Sequence, residues 1–146
     1  MAEPAPLVPG DESSPSARRD GGAVRQLTIA CARCGRPAAE IALRPAAPGA
    51  ADLSARRDRL ERAGFLGHVI QYGAYTDLAR TFEMLERGDL EAARGADADF
   101  VAFFCRPCGR PYCEACWGPR RLVFDDGFYD CAYADCPEGH EQIVDD

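Results

Sequence analysis

The stretch FCRPCGRPYCEACW, Phe104 to Trp117, carries four cysteines as two Cys-x2-Cys pairs, Cys105/Cys108 and Cys113/Cys116. A third pair, Cys31 and Cys34, lies far upstream in CARCG, and DCAYADCPEGH downstream adds Cys131, Cys136 and His140. Thiolate sulfur and imidazole nitrogen are the donors that gather a tetrahedral metal such as Zn²⁺, with sulfur about 2.3 Å from the ion. Two cysteines separated by two residues reach one ion from a single tight turn. The residue after the second cysteine then takes a positive φ, which glycine adopts without strain. Cys31-Ala-Arg-Cys34-Gly35 and Cys105-Arg-Pro-Cys108-Gly109 both have this knuckle form. Cys113-Glu-Ala-Cys116-Trp117 lacks the glycine and reads as a pair at a helix start or strand end. GRPY, with Gly109 and Pro111, reads as a turn that points the two neighbouring pairs at different ions. Each pair then needs two further ligands, and the nine candidates nearly match the eight places of two Zn²⁺ ions. Two Gly-terminated knuckles facing each other favour a sequential set, Cys31 and Cys34 with Cys105 and Cys108. Cys113 and Cys116 would then take two of Cys131, Cys136 and His140. Spacing alone leaves the pairing open.

Eight cysteines in 146 residues signify disulfides in an oxidising compartment or metal in a reducing one. No apolar run of a signal peptide follows the start, which favours the reducing case and a cytoplasmic protein. Closely spaced pairs also argue against disulfides, and three such pairs plus a fourth against a thioredoxin-like dithiol, while a rubredoxin-type iron site, which pairs two Cys-x2-Cys-Gly knuckles, stays open as a minor alternative. The formal net charge is −7, with arginine supplying all 17 Lys/Arg positions, and there is no lysine. Thiolates around Zn²⁺ make the protein more acidic still, a poor match to a phosphate backbone or an anionic membrane surface. No window approaches the length of a membrane span. The Ala- and Arg-rich, lysine-free composition suggests a GC-rich bacterial genome.

These ligands need a scaffold. Residues 1–24 are rich in Pro, Ser, Gly and charge and are expected to form a disordered tail, leaving residues 25–146 as one zinc-binding domain. VRQLTIA and AAEIALRP flank CARCG, so the first pair is expected at the tip of a strand–turn–strand unit. RPAAPGA breaks the chain. Leu53 and Leu60 on the charged background of Ala51–Phe65 suggest a short exposed helix, and LGHVIQYGAY is ambiguous between strand and loop. Leu78, Phe82 and Leu85 recur at helical spacing, with Thr76 or Asp77 as cap and Gly88 as stop. GDLEAARG gives a second helical turn capped by Asp89. DFVAFF is expected as a buried strand leading into Cys105. The fold class is α+β: a small two-zinc treble-clef or zinc-ribbon core with a helical insertion at about residues 51–95, between the first and second cysteine pairs.

CRPCGRPYCEACW resembles the centre of several two-zinc treble-clef families. Its spacing and CRxCG wording are similar to FYVE fingers; the same spacing occurs in IBR domains of RING-between-RING ubiquitin ligases, and RING fingers lie near it. CPEGH, Cys136 to His140, resembles the Cys-Pro-x-Gly-His element of RZ-type zinc fingers. The IBR resemblance implies sequential pairing, with Cys131 where that family usually has histidine, so that Cys113 and Cys116 join Cys131 and Cys136. The FYVE and RING resemblances imply crossed pairing: Cys31 and Cys34 with Cys113 and Cys116, and Cys105 and Cys108 with Cys131 and Cys136. Where FYVE fingers carry a lipid-binding basic run, this chain has the acidic-then-apolar DADFVAFF. Where RING ligases seat an E2 enzyme, Ala32 and Arg33 lack the large apolar group.

The remaining residues add little chemistry. His68 reads as a polar core or surface histidine, and His140 as a ligand or a hydrogen-bond partner of a thiolate. Trp117, Phe124, Phe128 and Tyr129 are expected as core around the metals, or, if exposed together, as a partner surface. No phosphate loop, hydrolase triad or catalytic carboxylate pair is found. The expected function is therefore a structural zinc protein acting as a protein-interaction module, with no catalytic residues and an unidentified protein partner. A RING- or IBR-like ligase, or a nucleic-acid-binding zinc ribbon, are the alternatives.

Overall fold

The computed structural model describes residues 23–146, so the tail expected over residues 1–24 falls outside them apart from Ala23 and Val24. β1 (Arg25–Ala30) and β2 (Pro37–Arg44) form an antiparallel hairpin with Leu27 opposite Ile41, and its connecting turn carries Cys31 and Cys34. β3 (Arg59–Gly64) and β4 (Gly67–Tyr72) continue this as a four-stranded meander in chain order. One face is apolar, with Ile41, Leu43 and Leu60 buried. Against the core they belong to, α1 (Tyr75–Glu86) buries Leu78, Phe82 and Leu85, the triad its spacing predicts.

The helix expected over Ala51–Phe65 is instead a 3-10 turn at Leu53–Arg56, capped by Asp52, followed by β3. The reason is that Leu60 and Arg62 both point inward at strand period, and an inward arginine hides the alternation. Residues 59–72 of the expected helical insertion are thus a β-hairpin, and the helices occupy Tyr75–Glu86 and Leu90–Ala96. α1 starts after Ala74 without a side-chain cap, and Asp77 sits inside its first turn, where the carboxylate faces the helix dipole. Gly88, at φ 81°, ends it as expected. Asp89 caps α2 (Leu90–Ala96) by accepting from the Ala92 N–H at 3.3 Å.

Phe100–Phe104 of DFVAFF are buried as expected while Asp99 is exposed, with Phe100, Val101 and Phe103 fully enclosed, yet only the last residue lies in a strand. Side chains satisfy its main chain in place of a ladder: Asp97 accepts from the Phe100 N–H at 3.1 Å, and Arg62 donates to the Phe100 and Asp99 carbonyls. β5 (Phe104–Cys105) and β6 (Arg110–Pro111) form a minimal hairpin around the second knuckle. The third sheet has β7 (Arg121–Asp125), β8 (Phe128–Asp135) and β9 (Glu141–Asp145) in chain order. Of the four aromatics expected as core, only Trp117 is buried; Phe124, Phe128 and Tyr129, toward the β7–β8 turn, are exposed. The fold is α+β, with two α-helices and three antiparallel sheets among the described residues.

Candidate metal centres

The structure crosses the cysteine pairs. Cys31, Cys34, Cys113 and Cys116 form one cluster, and Cys105, Cys108, Cys136 and His140 a second, with the donor atoms of each lying within 4.8 Å of one another. Local main-chain bonds shape every arm. In the first knuckle the Gly35 N–H donates to the Cys31 carbonyl at 3.0 Å, and in the second the Gly109 N–H donates to that of Cys105 at 2.8 Å. Both glycines take positive φ, 79° and 68°. The glycine-free third pair is a tight turn in which the Cys116 and Trp117 N–H groups both donate to the Cys113 carbonyl. The Ala32 N–H donates to the Pro111 carbonyl at 2.8 Å, which seats the β1–β2 tip on β6 beside Cys113.

The distances fit a tetrahedral ion. Four sulfurs at about 2.3 Å from one centre stand about 3.8 Å apart, and a sulfur and an imidazole nitrogen about 3.6 Å apart. In the first cluster Cys31 Sγ lies 3.7 Å from Cys116 Sγ, and Cys34 Sγ lies 3.5 Å from Cys113 Sγ. In the second, His140 Nδ1 lies 3.7, 3.2 and 3.4 Å from the sulfurs of Cys105, Cys108 and Cys136. Cys108 and Cys136 are 3.7 Å apart. Each cluster can therefore hold one metal ion with four protein donors.

The thiols are poised unevenly. Burial alone would raise Cys31, but the main-chain N–H groups of Cys34, Cys113 and Arg33 bring it down to about 6. Cys136 opposes burial in the same way through the His140 and Glu138 N–H groups, reaching about 7. Their partners resist ionisation: burial, then the other thiols of its cluster, push Cys116 up to about 12. Cys105 is likewise pushed up to about 12, by burial and by the Cys136 and Cys108 thiols. Close sulfurs, four in the first cluster and three in the second, repel as thiolates, and a central cation would remove that conflict.

Surrounding groups hold the arms. Gln142 on β9 donates to the Phe104 carbonyl at 2.8 Å and accepts from the Arg106 N–H at 3.4 Å, tying the second knuckle to the third sheet. The buried Tyr112 hydroxyl makes no hydrogen bond among the described residues. The neighbouring Cys108 sulfur, then burial, push its pKa up to about 12, so it stays neutral beside that thiol. Trp117 stacks on Phe65 at 5.0 Å and donates to the Tyr112 and Phe103 carbonyls at 3.1 and 3.3 Å. The buried Arg62 donates to the Phe100 carbonyl at 2.6 Å, to that of Asp99 at 3.2 Å and to that of Phe65. It pins the segment entering Cys105 to the β3–β4 hairpin. Burial lowers its pKa to about 10, against the pull of Asp97. Neither Arg62 nor Gln142 is marked by any pattern in the sequence.

Eight of the nine sequence candidates fall into the two clusters. Cys131 does not: it is buried in mid-β8 opposite Val123, and burial, then Asp130, raise its pKa. The five strand residues from there to Cys136 carry it about 16 Å away, so the place the IBR resemblance gave it is corrected. The sequential pairing is corrected with it, and His140 takes the fourth position of the second cluster. His68 is exposed on β4, with Nε2 3.6 Å from Glu61 and outside both clusters.

A family model described as a domain of unknown function, DUF8328, matches residues 22–146, and the chain belongs to that family. No curated protein and no solved structure matches it.

Proposed function

We propose that this DUF8328 member holds one Zn²⁺ in each cluster and uses the body so fixed as a protein-interaction module, without chemistry of its own. The observation that carries this is that each cluster already offers four protein donors, seven thiol sulfurs and one imidazole between them. A closed four-donor site is the structural type, whereas catalytic zinc keeps a place for water or substrate. Sulfur-rich tetrahedral surroundings favour zinc over the hard divalent cations. When bound, the ion would neutralise the thiolates and cross-link distant segments. At roughly 10–16 kcal/mol per site that contribution exceeds the net stability of a domain of this size. Such thiols persist in a reducing compartment, which supports a cytoplasmic protein. The net charge of −7 directs the partner search to protein surfaces rather than nucleic acid or anionic lipid.

A RING-like ubiquitin ligase is the second reading, and the crossed pairing is the observation in its favour. Against it stand Ala32 and Arg33, where an apolar E2 contact is expected. The test is metal analysis of anaerobically purified protein followed by chelation. Two zinc ions per chain, with loss of cooperative unfolding on their removal, support the reading. One ion or none, with folding unchanged in chelator, overturns it. Accelerated discharge of a charged E2 would replace the module with the ligase.

A further inference from the structure

The described surface concentrates its large exposed apolar groups on the β7–β8 hairpin, where Leu122, Phe124 and Phe128 are 56, 59 and 77 % exposed. β7 is an edge of the third sheet, and all five of its residues are exposed. The bulge in the β7–β8 ladder places its extra residue, Asp130, on β8, so β7 itself runs unbroken. Natural proteins shield a long apolar edge with charge, proline or a covering element. Here the charges sit only at the two ends of the segment, in the order Arg120-Arg121-Leu122-Val123-Phe124-Asp125-Asp126.

That order is complementary to itself when reversed. Laid antiparallel to a second β7 about Val123, Arg120 meets Asp126 of the other copy, Arg121 meets Asp125, Leu122 meets Phe124, and Val123 meets Val123. Residues opposite each other share a face, so the pairs are two ion pairs and apolar contacts at each end of the axis. A shift of two residues sets the arginines against Phe124 and Val123 and loses every ion pair. Arg121 is already braced by Asp135 and Glu141 at 3.2 and 2.5 Å, which holds its guanidinium beside the sheet. The Leu122 side also opens on a cleft of about 400 Å³ where Leu66, Val69 and Val144 lie among the charged Asp99, Arg120 and Asp145. The opposing Phe124 would arrive at its mouth.

We propose that β7 is a self-recognition edge, through which two copies of this chain pair about a two-fold axis at Val123 and form one continuous six-stranded sheet. The symmetry is closed and isologous, so the edge is used up in the dimer and does not propagate. This names a partner for the interaction role proposed above, yet it rests on the strand and its charge order, not on the metals.

Sedimentation velocity on metal-loaded full-length protein, from about 1 to about 500 μM, tests it, since a small interface gives micromolar association. The wild type is expected to pass from monomer to dimer. Val123→Lys and Val123→Glu each place like charges on the axis and are expected to remain monomeric, while an equimolar mixture of the two dimerises. Hydrogen exchange reads the same contact without substitution: β7 amides gain about tenfold protection at high concentration, and the β1 and β4 edge amides do not. A wild type monomeric throughout, a variant that dimerises as the wild type does, or a mixture that stays monomeric overturns the proposal. A wild type that instead binds only an added basic, apolar peptide along β7 overturns it too. Metal content measured on the same samples separates this outcome from failure of the zinc assignment.

Discussion

The first cluster joins the β1–β2 tip to the turn at Cys113–Cys116, bridging residues 79 and 85 positions apart. The second joins the knuckle at Cys105–Cys108 to the turn before β9, across 28 to 35 positions. By loop closure alone this difference is worth only about 1 kcal/mol, because the cost grows with the logarithm of length. Surroundings separate the two more strongly. The first is all sulfur, carries one more negative charge when loaded, and leaves Cys34 exposed. The second replaces a thiolate with imidazole and has Tyr112 and Gln142 around it. Span therefore decides which parts of the molecule a bound ion would unite, and cover how readily that ion would leave.

The largest expected effect comes from removing a buried ligand. Cys136→Ser should cost at least about 5 kcal/mol and leave one metal, with no cooperative thermal transition. Cys34→Ser, at the exposed corner, should keep the transition while weakening its metal by about 100-fold, read by competition with a chromophoric chelator. Equal effects of the two would break the contrast. Next in size is Gly64→Ala. A Cβ there would lie 2.5 Å from the Ala38 carbonyl oxygen, on a backbone at φ 141°, close to the first cluster. A loss of about 3 kcal/mol is expected in urea unfolding. Cys131→Ser follows, with both metals retained and a cost of about 1 kcal/mol for the buried hydroxyl; loss of a metal would restore Cys131 as a ligand.

The smallest effect is electrostatic. Burial raises the Glu61 carboxyl, but hydrogen bonds from Arg59 and Arg44 outweigh it and hold the folded pKa below its ordinary 4.5. The unfolded chain then binds more protons in that window, so this stabilisation is complete above pH 4.5 and is lost as pH falls through the folded pKa. Glu61→Gln should flatten that part of the acid limb in denaturant titrations at graded pH, leaving proton-driven metal release as the remainder.

The residues of the two donor clusters were largely legible because Cys-x2-Cys-Gly is a local geometry, and positive φ at Gly35 and Gly109 follows from it. The pairing was not, because crossed and sequential arrangements place identical demands on each local turn. Contacts across the fold distinguish them, such as the docking of Ala32 on Pro111, and no local turn carries those. α1 was legible from Leu78, Phe82 and Leu85, which repeat on one face. β3 was not, since Arg62 occupies an inward position that its carbonyl partners at Phe65, Asp99 and Phe100 make tolerable. The aromatics after Trp117 misled for the opposite reason: apolar type marks a residue that benefits from burial, and no described element covers Phe124, Phe128 and Tyr129.

X-ray absorption at the metal edge of anaerobically purified protein tests the central claim most directly. Two zinc ions per chain should share seven sulfurs and one nitrogen, the nitrogen shell vanishing in His140→Cys while both ions remain. A first shell dominated by oxygen, or fewer than one ion per chain in protein that folds normally, would contradict it.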